Sequence, residues 1–433
     1  MPEFLTLLPP DEARALLLSH LPSGTAGSDS LDSLLALGRV TAEDILAPHP
    51  LPEFPRSSVD GYAVRASDTF GASESLPAYL TLLGEIPMGA PAELSLAPSQ
   101  CALIHTGGML PANADAVVML EYTQSINRED HHKKISMDRV VKSEIEILRP
   151  VAVGENVIAI GEDVRAGQVV IPRGASLREA EIGGLMALGI TSLRVVRKPR
   201  VGLISSGDEV VEPNQPAGPG KVRDVNAYTL SALVTRAGGE PVRYGIVRDD
   251  FAALQAMAQK ALAECDAVII TAGSSASTRD MTADVIRSLG APGVLVHGIN
   301  TRPGKPTILG VANSKAVIGL PGNPVSALVN GFLFVVPVIE KLLGLNPRPR
   351  PAVMARLTVN LPSQAGREDW WPVRLLPPSP QAGGGAESEG RRADPIFGKS
   401  NLIFSLASAD GLLRIPPDAT GISAGEIVEV MLI

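Results

Sequence analysis

The chain is poor in aromatic residues, nearly without cysteine, and has no excess of positive charge. Phe, Trp and Tyr make up 3% of its 433 residues while hydrophobic residues make up 45%, so its cores must be built from Ala, Val, Leu and Ile. That scarcity argues against a single-stranded nucleic-acid binder working through aromatic platforms. The formal net charge of -8 removes the global attraction to phosphate backbones on which nucleic-acid binding rests. A small-molecule partner is the better expectation. The two cysteines, Cys101 and Cys265, form no CxxC pair, which excludes a disulfide scaffold and a cysteine-based zinc site and fits a reducing compartment. The N-terminus, "MPEFLTLLPPDEAR", has acids and two prolines where a secretory signal has a basic start and an apolar run. A cytoplasmic location is therefore expected. Long hydrophobic runs are also scarce. The most apolar one, "GFLFVVPVIEKLLGL", is interrupted by Pro337, Glu340 and Lys341, short of the ~20 residues of a spanning helix, and it reads as a buried helix with no membrane partner.

What is present divides the chain by texture. A length of 433 residues exceeds one typical core and implies three or four domains. Residues 1–47 read as helical, with "SLDSLLALGRVTAEDI" offering a start at Ser30 or Asp32 and leucines at helical spacing. Residues 48–146 break into short apolar runs punctuated by Gly and Pro, a β-rich module in which "NREDHHKK" reads as a solvated hairpin tip. Residues 147–198 hold Gly-spaced runs and a helix, "REAEIGGLMALGI", a small separate layer. In residues 199–345 strand-like and helix-like segments alternate, implying a parallel sheet with crossover helices. After "GLNPRPRP", residues 346–433 return to short strands, with "PPSPQAGGGAESEGRRAD" a low-complexity loop inside them.

Ligands of open parallel sheets bind beyond the carboxyl ends of the strands, so the informative loops are those that follow apolar runs in residues 199–345. Four qualify. "VGLISSGDEV" presents Ser205, Ser206, Gly207, Asp208 and Glu209; "TAGSSASTRD" follows "DAVII"; "RPGKP" presents Arg302, Gly304 and Lys305; "IGLPGNPVSA" presents Gly322, Asn323 and Ser326 before a helix. Small residues let backbone N–H groups approach an anion, and a following helix adds partial positive charge. Each loop alone reads more readily as a turn with a helix cap. Four in one sheet point to an anion cradle. None has the Walker spacing, and no GxGxxG opens the segment. The acids Asp60, Asp208, Glu209, Asp224 and Asp280 are of the type that holds a hard cation such as Mg²⁺ through oxygen, although any one of them alone reads as a turn or cap acid. A serine nucleophile lacks partners: the six histidines form no triad pattern and no GxSxG elbow occurs. His105 and His297 read as structural, and the pair His131 and His132 as part of the charged tip.

The segments "PRSSVDGYAVR", "HTGGMLPANADAVVMLE", "ISSGDEVV", "VRDVNAYTLSALV", "RPGKPTILG" and "GLPGNPVSALV" together resemble, in order, the molybdopterin molybdenumtransferases, the family of MoeA and the gephyrin E domain. The resemblance runs along essentially the whole chain. It implies an α/β multidomain fold: a doubly wound, MogA-like α/β domain, an inserted β domain, a small split linker domain formed by residues 1–47 and 147–198, and a C-terminal β barrel, in an elongated homodimer. The implied reaction inserts molybdate into adenylylated molybdopterin, hydrolysing the pyrophosphate link and releasing AMP and the molybdenum cofactor.

By matching motif, Asp60 and Thr106 would reach the cleft from the inserted domain, across a dimer interface. Glu209, Asp224 and Asp280 would form the acidic, Mg²⁺-binding side, while Lys305 with Arg302, Pro303, Gly304 and Pro306 would hold the oxyanion or the pterin phosphate. Ser274 and Ser275, with Gly273, would contact the pyrophosphate. Ser206, Gly207, Asp208, Asn226, Gly322, Asn323 and Ser326 complete the expected substrate-binding set, and Ser400 falls at the family's C-terminal serine motif. The implied partners are the adenylyltransferase of the same pathway and the enzymes that receive the cofactor.

The departure from the family lies in "TAGSSASTRD", where common members carry a "GGVSVG" type of loop; added side chains restrict torsions and narrow a cleft. Arg302 also stands where many members have lysine, offering a planar fork instead of a point charge. These differences leave molybdate and tungstate open as the oxyanion. The rival readings are a non-catalytic carrier or scaffold with the same fold, marked by retained ligand affinity without AMP release, and a hydrolase of other nucleotide phosphates, which a substrate panel separates.

Overall fold

The computed structural model describes residues 7–24, 27–126, 143–272, 276–378 and 390–433. The "NREDHHKK" tip with His131 and His132, most of the low-complexity stretch, and Gly273, Ser274 and Ser275 lie outside the described residues, as do the side chains from Ala276 to Asp280. The chain divides into two compact units: one of Asp44–Pro172 and Gly183–Ile190, the other of Met1–Glu43, Arg173–Ile182 and Thr191–Ile433.

The first unit is built on a six-stranded sheet with the order 116–119, 61–64, 100–104, 78–85, 144–147, 123–126. Strand Gly61–Val64 is buried along its whole length. Successive side chains of a strand point to opposite faces, and here both faces are covered: Tyr62 and Val64 join a core with Cys101, Val118 and Ile145, while Ala63 joins one with Ile86, Leu96 and Ile104. The glycine of "DGYA" has a packing reason, since a Cβ on Gly61 would lie 2.0 Å from the Val118 carbonyl oxygen on the neighbouring strand. Burial keeps Cys101 a neutral thiol and pushes its pKa up to about 12.

In the second unit, helix Pro10–Ser19 buries Ala13 and Leu17. The helix expected from Ser30 does not form. Residues Ser28–Asp32 are a strand paired antiparallel with Ser192–Val196, followed by a single 3₁₀ turn whose Leu34 N–H is capped by Asp32 at 2.8 Å. Leu34, Leu35 and Leu37 are exposed. Their helical spacing therefore marks no buried face, and the long-range pairing decides the local structure.

The centre of this unit is a sheet of β1 (Arg200–Ser206), β2 (Glu240–Val247), β3 (Ala267–Ala272), β4 (Pro292–His297), β5 (Ile308–Ala312) and β6 (Lys315–Pro321). Its order is β2-β1-β3-β6-β5-β4. The helices are α1 (Asn226–Arg236), α2 (Phe251–Glu264), α3 (Ala276–Ser288), α4 (Pro324–Asn330) and α5 (Val336–Leu343). Connection through α1 leads outward from β1 to β2, and connection through α2 leads back past β1 to β3. That reversal makes the sheet doubly wound. Strand alternation again supplies two cores, with Leu203, Ile269 and Ile318 on the α1, α4 and α5 side and Ile204, Val268 and Val317 on the α2 and α3 side.

The sheet is not wholly parallel. β5 runs antiparallel to β6 and to β4, because β5 and β6 are joined by Asn313 and Ser314 with φ of 53° and 61°. Two successive positive φ values are the mark of a type I′ hairpin turn. β4 consequently points the same way as β1, β3 and β6. The loops after β1, β3, β4 and β6, which are the four polar loops of the sequence, all leave the same edge of the sheet.

The apolar run after β6 is longer than its sequence suggests. A π turn at Gly331–Val335 joins α4 to α5 in one helical run, Pro324–Leu343, of 20 residues. It is long and apolar enough to cross a bilayer by length and composition, yet it is mostly buried, with Phe334 and Ile339 at 0% exposure. Pro337 follows the π turn, where the shifted ladder tolerates the missing N–H.

The C-terminal part is a barrel of β7 (Ala352–Leu357), β8 (Glu368–Leu376), β9 (Arg392–Pro395), β10 (Gly411–Ile415) and β11 (Ile427–Leu432). It is closed by pairing of β8 with β10. Closure leaves no free edge among these strands.

Candidate active site

The end of β1 carries Ser205 and Ser206, both buried. Ser205 Oγ donates to Asp224 Oδ2 at 2.6 Å, and Thr271 Oγ1 at the end of β3 donates to Ser205 Oγ at 3.4 Å. Asp224 is 6% exposed, and its Oδ1 accepts the Ala227 N–H in the first turn of α1 at 3.0 Å. The cap reading and the site reading thus fall on one residue: Asp224 stabilises the start of α1 and carries a buried carboxylate at the carboxyl-end edge of the sheet. Ser206 Oγ donates to Asp249 Oδ1 at 2.8 Å, an acid the sequence pattern did not single out. Gly207 has φ of +152°, and a Cβ there would lie 2.8 Å from Glu209 Oε2. Asp208 and Glu209 are exposed in the turn beyond.

The loop after β6 is joined to α1 and to the barrel. Asn226 Nδ2 donates to the Gly322 carbonyl at 2.9 Å, while Asn226 Oδ1 is buried and has no hydrogen-bond partner among the described residues. Asn323 Nδ2 donates to Ser400 Oγ at 3.1 Å, and the Val325 N–H donates to the Ser400 carbonyl at 3.0 Å. Ser400 is therefore in direct contact with the loop that leads into α4.

The loop after β4 is fixed by α4. Asn330 has 0% exposure, and its Nδ2 donates to the Pro303 carbonyl at 3.2 Å and to the Ser326 carbonyl at 2.8 Å. Gly304 has φ of +101°, which favours glycine. Lys305 is exposed. Among the described residues it has no ion-pair partner.

The loops after β4 and β6 and the barrel enclose a cavity of about 700 Å³. It gathers part of the expected set: Ser206, Gly207, Asp208, Glu209, Asp224, Asn226 and Gly322 are not among its lining residues. Arg302, Pro303, Gly304, Lys305, Pro306, Asn323, Ser326 and Ser400 line it, together with Arg367, Lys399, Trp370 and Trp371 from the barrel. Among the described residues four cationic side chains and no acidic one form this lining. Both tryptophans of an aromatic-poor chain are among it. A cavity of this charge attracts an anion, and low-dielectric walls strengthen the attraction.

Three family models match the chain: the MoeA N-terminal region (domain I and II) over residues 8–189, a probable molybdopterin binding domain over 202–341, and the MoeA C-terminal region (domain IV) over 354–433. The molybdopterin molybdenumtransferase of Bacillus subtilis is 34% identical over 436 residues, spanning 100% of this chain and 96% of its own. That of Nostoc sp. is 35% identical over 410 residues, spanning 93% of this chain and 88% of its own. This chain belongs to the MoeA family. The fold agrees: the crystal structure of the molybdopterin biosynthesis MoeA protein from Pyrococcus horikoshii OT3 superposes with a TM-score of 0.81 at 32% identity, covering 99% of this chain and 100% of that one.

Within this MoeA chain, sequence reasoning missed Arg367, Lys399 and the two tryptophans because they come from the barrel, far along the sequence from the sheet loops. The basic residue in "GREDWW" was the available signal. Asp60 and Thr106 lie in the other unit and are bonded to each other: Asp60 Oδ1 accepts the Thr106 N–H at 2.8 Å and its Oγ1 at 3.1 Å. Beside them His105 Nε2 meets Glu85 Oε1 at 2.8 Å, and its Nδ1 lies 3.8 Å from Asp60. The Thr106 backbone bond, then its hydroxyl bond, hold the Asp60 pKa below the usual carboxylate value. This preference for the ionised form operates above the ordinary carboxylate pKa and is lost as pH falls through the lowered one. Thr106→Val, which removes the hydroxyl and keeps the N–H, is expected to move the Asp60 titration upward. A carboxyl-carbon NMR titration that finds it unmoved would rule out the hydroxyl as a determinant.

Proposed function

We propose that this MoeA-family chain is a molybdopterin molybdenumtransferase that works in molybdenum cofactor biosynthesis, inserting molybdate into adenylylated molybdopterin with release of AMP and the cofactor. The observation that carries the assignment of the site is the cavity lined by Arg302, Lys305, Arg367 and Lys399 without an acid. A tetrahedral dianion placed there exchanges water for fixed positive charge, which is favourable where the environment is preorganised. Lys305 contributes a mobile point charge, and Arg302 and Arg367 contribute planar N–H forks. Ser326, Asn323 and Ser400 add neutral hydrogen-bonding groups to the same wall. No covalent enzyme intermediate is required.

The acidic side consists of Asp224 and Glu209, with Asp280 assigned to it by motif. Among the described residues no group of three or more His, Cys, Asp or Glu side chains is arranged to hold a metal ion, so the fit to Mg²⁺ is one of donor type. Asp224 and Glu209 offer carboxylate oxygens, and Asn226 Oδ1, two residues from Asp224, is a buried amide oxygen without a donor among the described residues, the hard-oxygen chemistry that this ion selects. Bound there, Mg²⁺ would polarise the phosphate oxygens of the pyrophosphate link. The chain's own part is to orient Asp224 through Ser205 and Ala227. Gly273, Ser274 and Ser275 are assigned to the pyrophosphate, and Ser206, Gly207 and Asp208 to the substrate edge after β1.

The proposed organisation is four domains: residues 1–47 with 147–198, 48–146, 199–345 and 346–433. In a homodimer, Asp60 and Thr106 of one protomer serve the α/β site of its partner. Sedimentation that finds a monomer at working concentration would remove that arrangement. The chain is placed in the cytoplasm, with the adenylyltransferase of the pathway and cofactor-receiving enzymes as its partners. The decisive test is single-turnover incubation with adenylylated molybdopterin, Mg²⁺ and either molybdate or tungstate, following AMP release and activation of a cofactor-free molybdoenzyme. Oxyanion-dependent AMP release is the expected result, and the effective oxyanion identifies the metal. Pterin binding without AMP release would instead assign a carrier or scaffold.

A further inference from the structure

Strand β8 separates two buried acids by the alternation of its side chains. Glu368 accepts Trp370 Nε1 at 2.7 Å and Arg414 Nε at 2.7 Å. Asp369, on the opposite face, has 0% exposure. Its Oδ1 accepts Arg367 Nε at 2.7 Å and its Oδ2 accepts Arg367 Nη2 at 3.1 Å. Arg367 stands immediately before β8 and lines the cavity, whereas Asp369 is fully buried and is not among the lining residues, so the acid holds the guanidinium without itself facing the cavity.

A second guanidinium reaches the same acid from another part of the chain. Residues Thr301–Arg302 pair in parallel with Glu368 and Asp369, which sets Arg302 opposite Asp369. Arg302 Nη1 lies 3.8 Å from Asp369 Oδ2, and its guanidinium carbon lies 5.4 Å from the centre of the Trp371 ring, within cation–π range. Trp371 is held edge to face by Phe397, with centroids 5.5 Å apart. One carboxylate and one indole thus constrain two arginines from two domains.

We propose that Asp369 is a positioning residue for oxyanion capture, holding Arg367 and Arg302 as a preset pair of forks on the cavity wall. The inference rests on the oxyanion role proposed for this cavity. The bidentate bond with Asp369 occupies the Nε and one Nη of Arg367, leaving its other N–H donors for a ligand. Physics gives two opposite expectations for neutralising Asp369. If the acid only balances charge, its removal leaves the cavity more positive and the anion binds more tightly. If it positions the arginines, binding weakens although the field has become more favourable.

The test is calorimetric titration of the full chain with sodium molybdate, comparing the wild type with Asp369→Asn, which keeps the size of the side chain and removes its charge. The expected result is roughly ten-fold weaker binding, as for loss of one charged hydrogen-bonding arrangement. Unchanged or tighter binding by a variant with a wild-type near-ultraviolet circular dichroism spectrum overturns the proposal. Should Asp369→Asn fail to fold, Arg367→Lys tests the same idea with Asp369 in place: it keeps the charge but cannot make the planar two-point bond. Positioning predicts that Lys loses as much affinity as Ala at this position, and affinity kept by Lys overturns it. A wild-type chain that binds no molybdate removes the oxyanion reading and this inference with it, whereas wild-type binding with unaffected variants removes the inference alone.

Discussion

Lys305→Ala is expected to lower molybdate-dependent AMP release, as kcat/KM for molybdate, about a hundred-fold, the scale set by removing one preorganised charge-stabilising group from a site. The fold should be unaffected, because the side chain is exposed and only its backbone is used, its carbonyl accepting the Ile299 N–H at 2.8 Å. Lys305→Arg separates charge from shape, since a guanidinium keeps the charge on a larger, planar head. Unchanged turnover and molybdate affinity in Lys305→Ala would remove this residue from the oxyanion site. A fall in pterin binding with molybdate affinity retained would move it to the pterin phosphate.

Gly304→Ala is expected to produce the other large effect, through the same loop and a different physical cause. The backbone there has φ of +101°, and an added Cβ would lie 1.7 Å from Asn330 Nδ2 and 2.7 Å from its Cγ. Such a contact is usually relieved by swinging the side chain away, but Asn330 has 0% exposure and donates to the carbonyls of Pro303 and Ser326. Moving it breaks two hydrogen bonds in a closed space. Backbone strain of about 1–3 kcal/mol and overpacking of about 1–3 kcal/mol act together, so urea unfolding should show a loss of roughly 3 kcal/mol or more. Tryptophan fluorescence is a suitable probe because Trp370 and Trp371 line the adjoining cavity. Activity should fall further than stability explains, since the displaced loop carries Lys305. The steric cause is checked by combining Gly304→Ala with Asn330→Ala. The double variant should be more stable than the sum of the single losses predicts, because the second change removes the atoms that clash. Strict additivity would show that the conformation at Gly304, and not the contact, is what matters.

The positions of the four polar loops at the strand ends were legible because each is a local event: an apolar run ends and small or hydroxyl residues follow. Their convergence was legible too, as a rule about strand ends. The reversal of β5 was not, although "VANSKAV" contains its turn. Asn313 and Ser314 take positive φ, and the two-residue spacing between apolar runs was the available signal. The leucines of residues 30–45 misled because their helical spacing is on the surface: a strand pairing with Ser192–Val196, about 160 positions away by the register Ser28↔Val196 and Asp32↔Ser192, outweighs local propensity. Pro337 misled in the opposite sense, since a π turn lets one helix pass through a residue that usually ends it.

The sequence by itself determined the family, the succession of β-rich, α/β and β-barrel segments, and the residue types available at each strand end, because these depend on neighbours along the chain. Only the tertiary structure decided which of those residues share a cavity. Arg367, Lys399 and Ser400 come from the barrel and Arg302 and Lys305 from the loop after β4, and they meet because Thr301–Arg302 adds to the barrel sheet beside Glu368 and Asp369. Burial decided the rest: with Asp369 and Asn330 both at 0% exposure, polar groups without access to water must find partners in the fold, and those partners are the segments that shape the site.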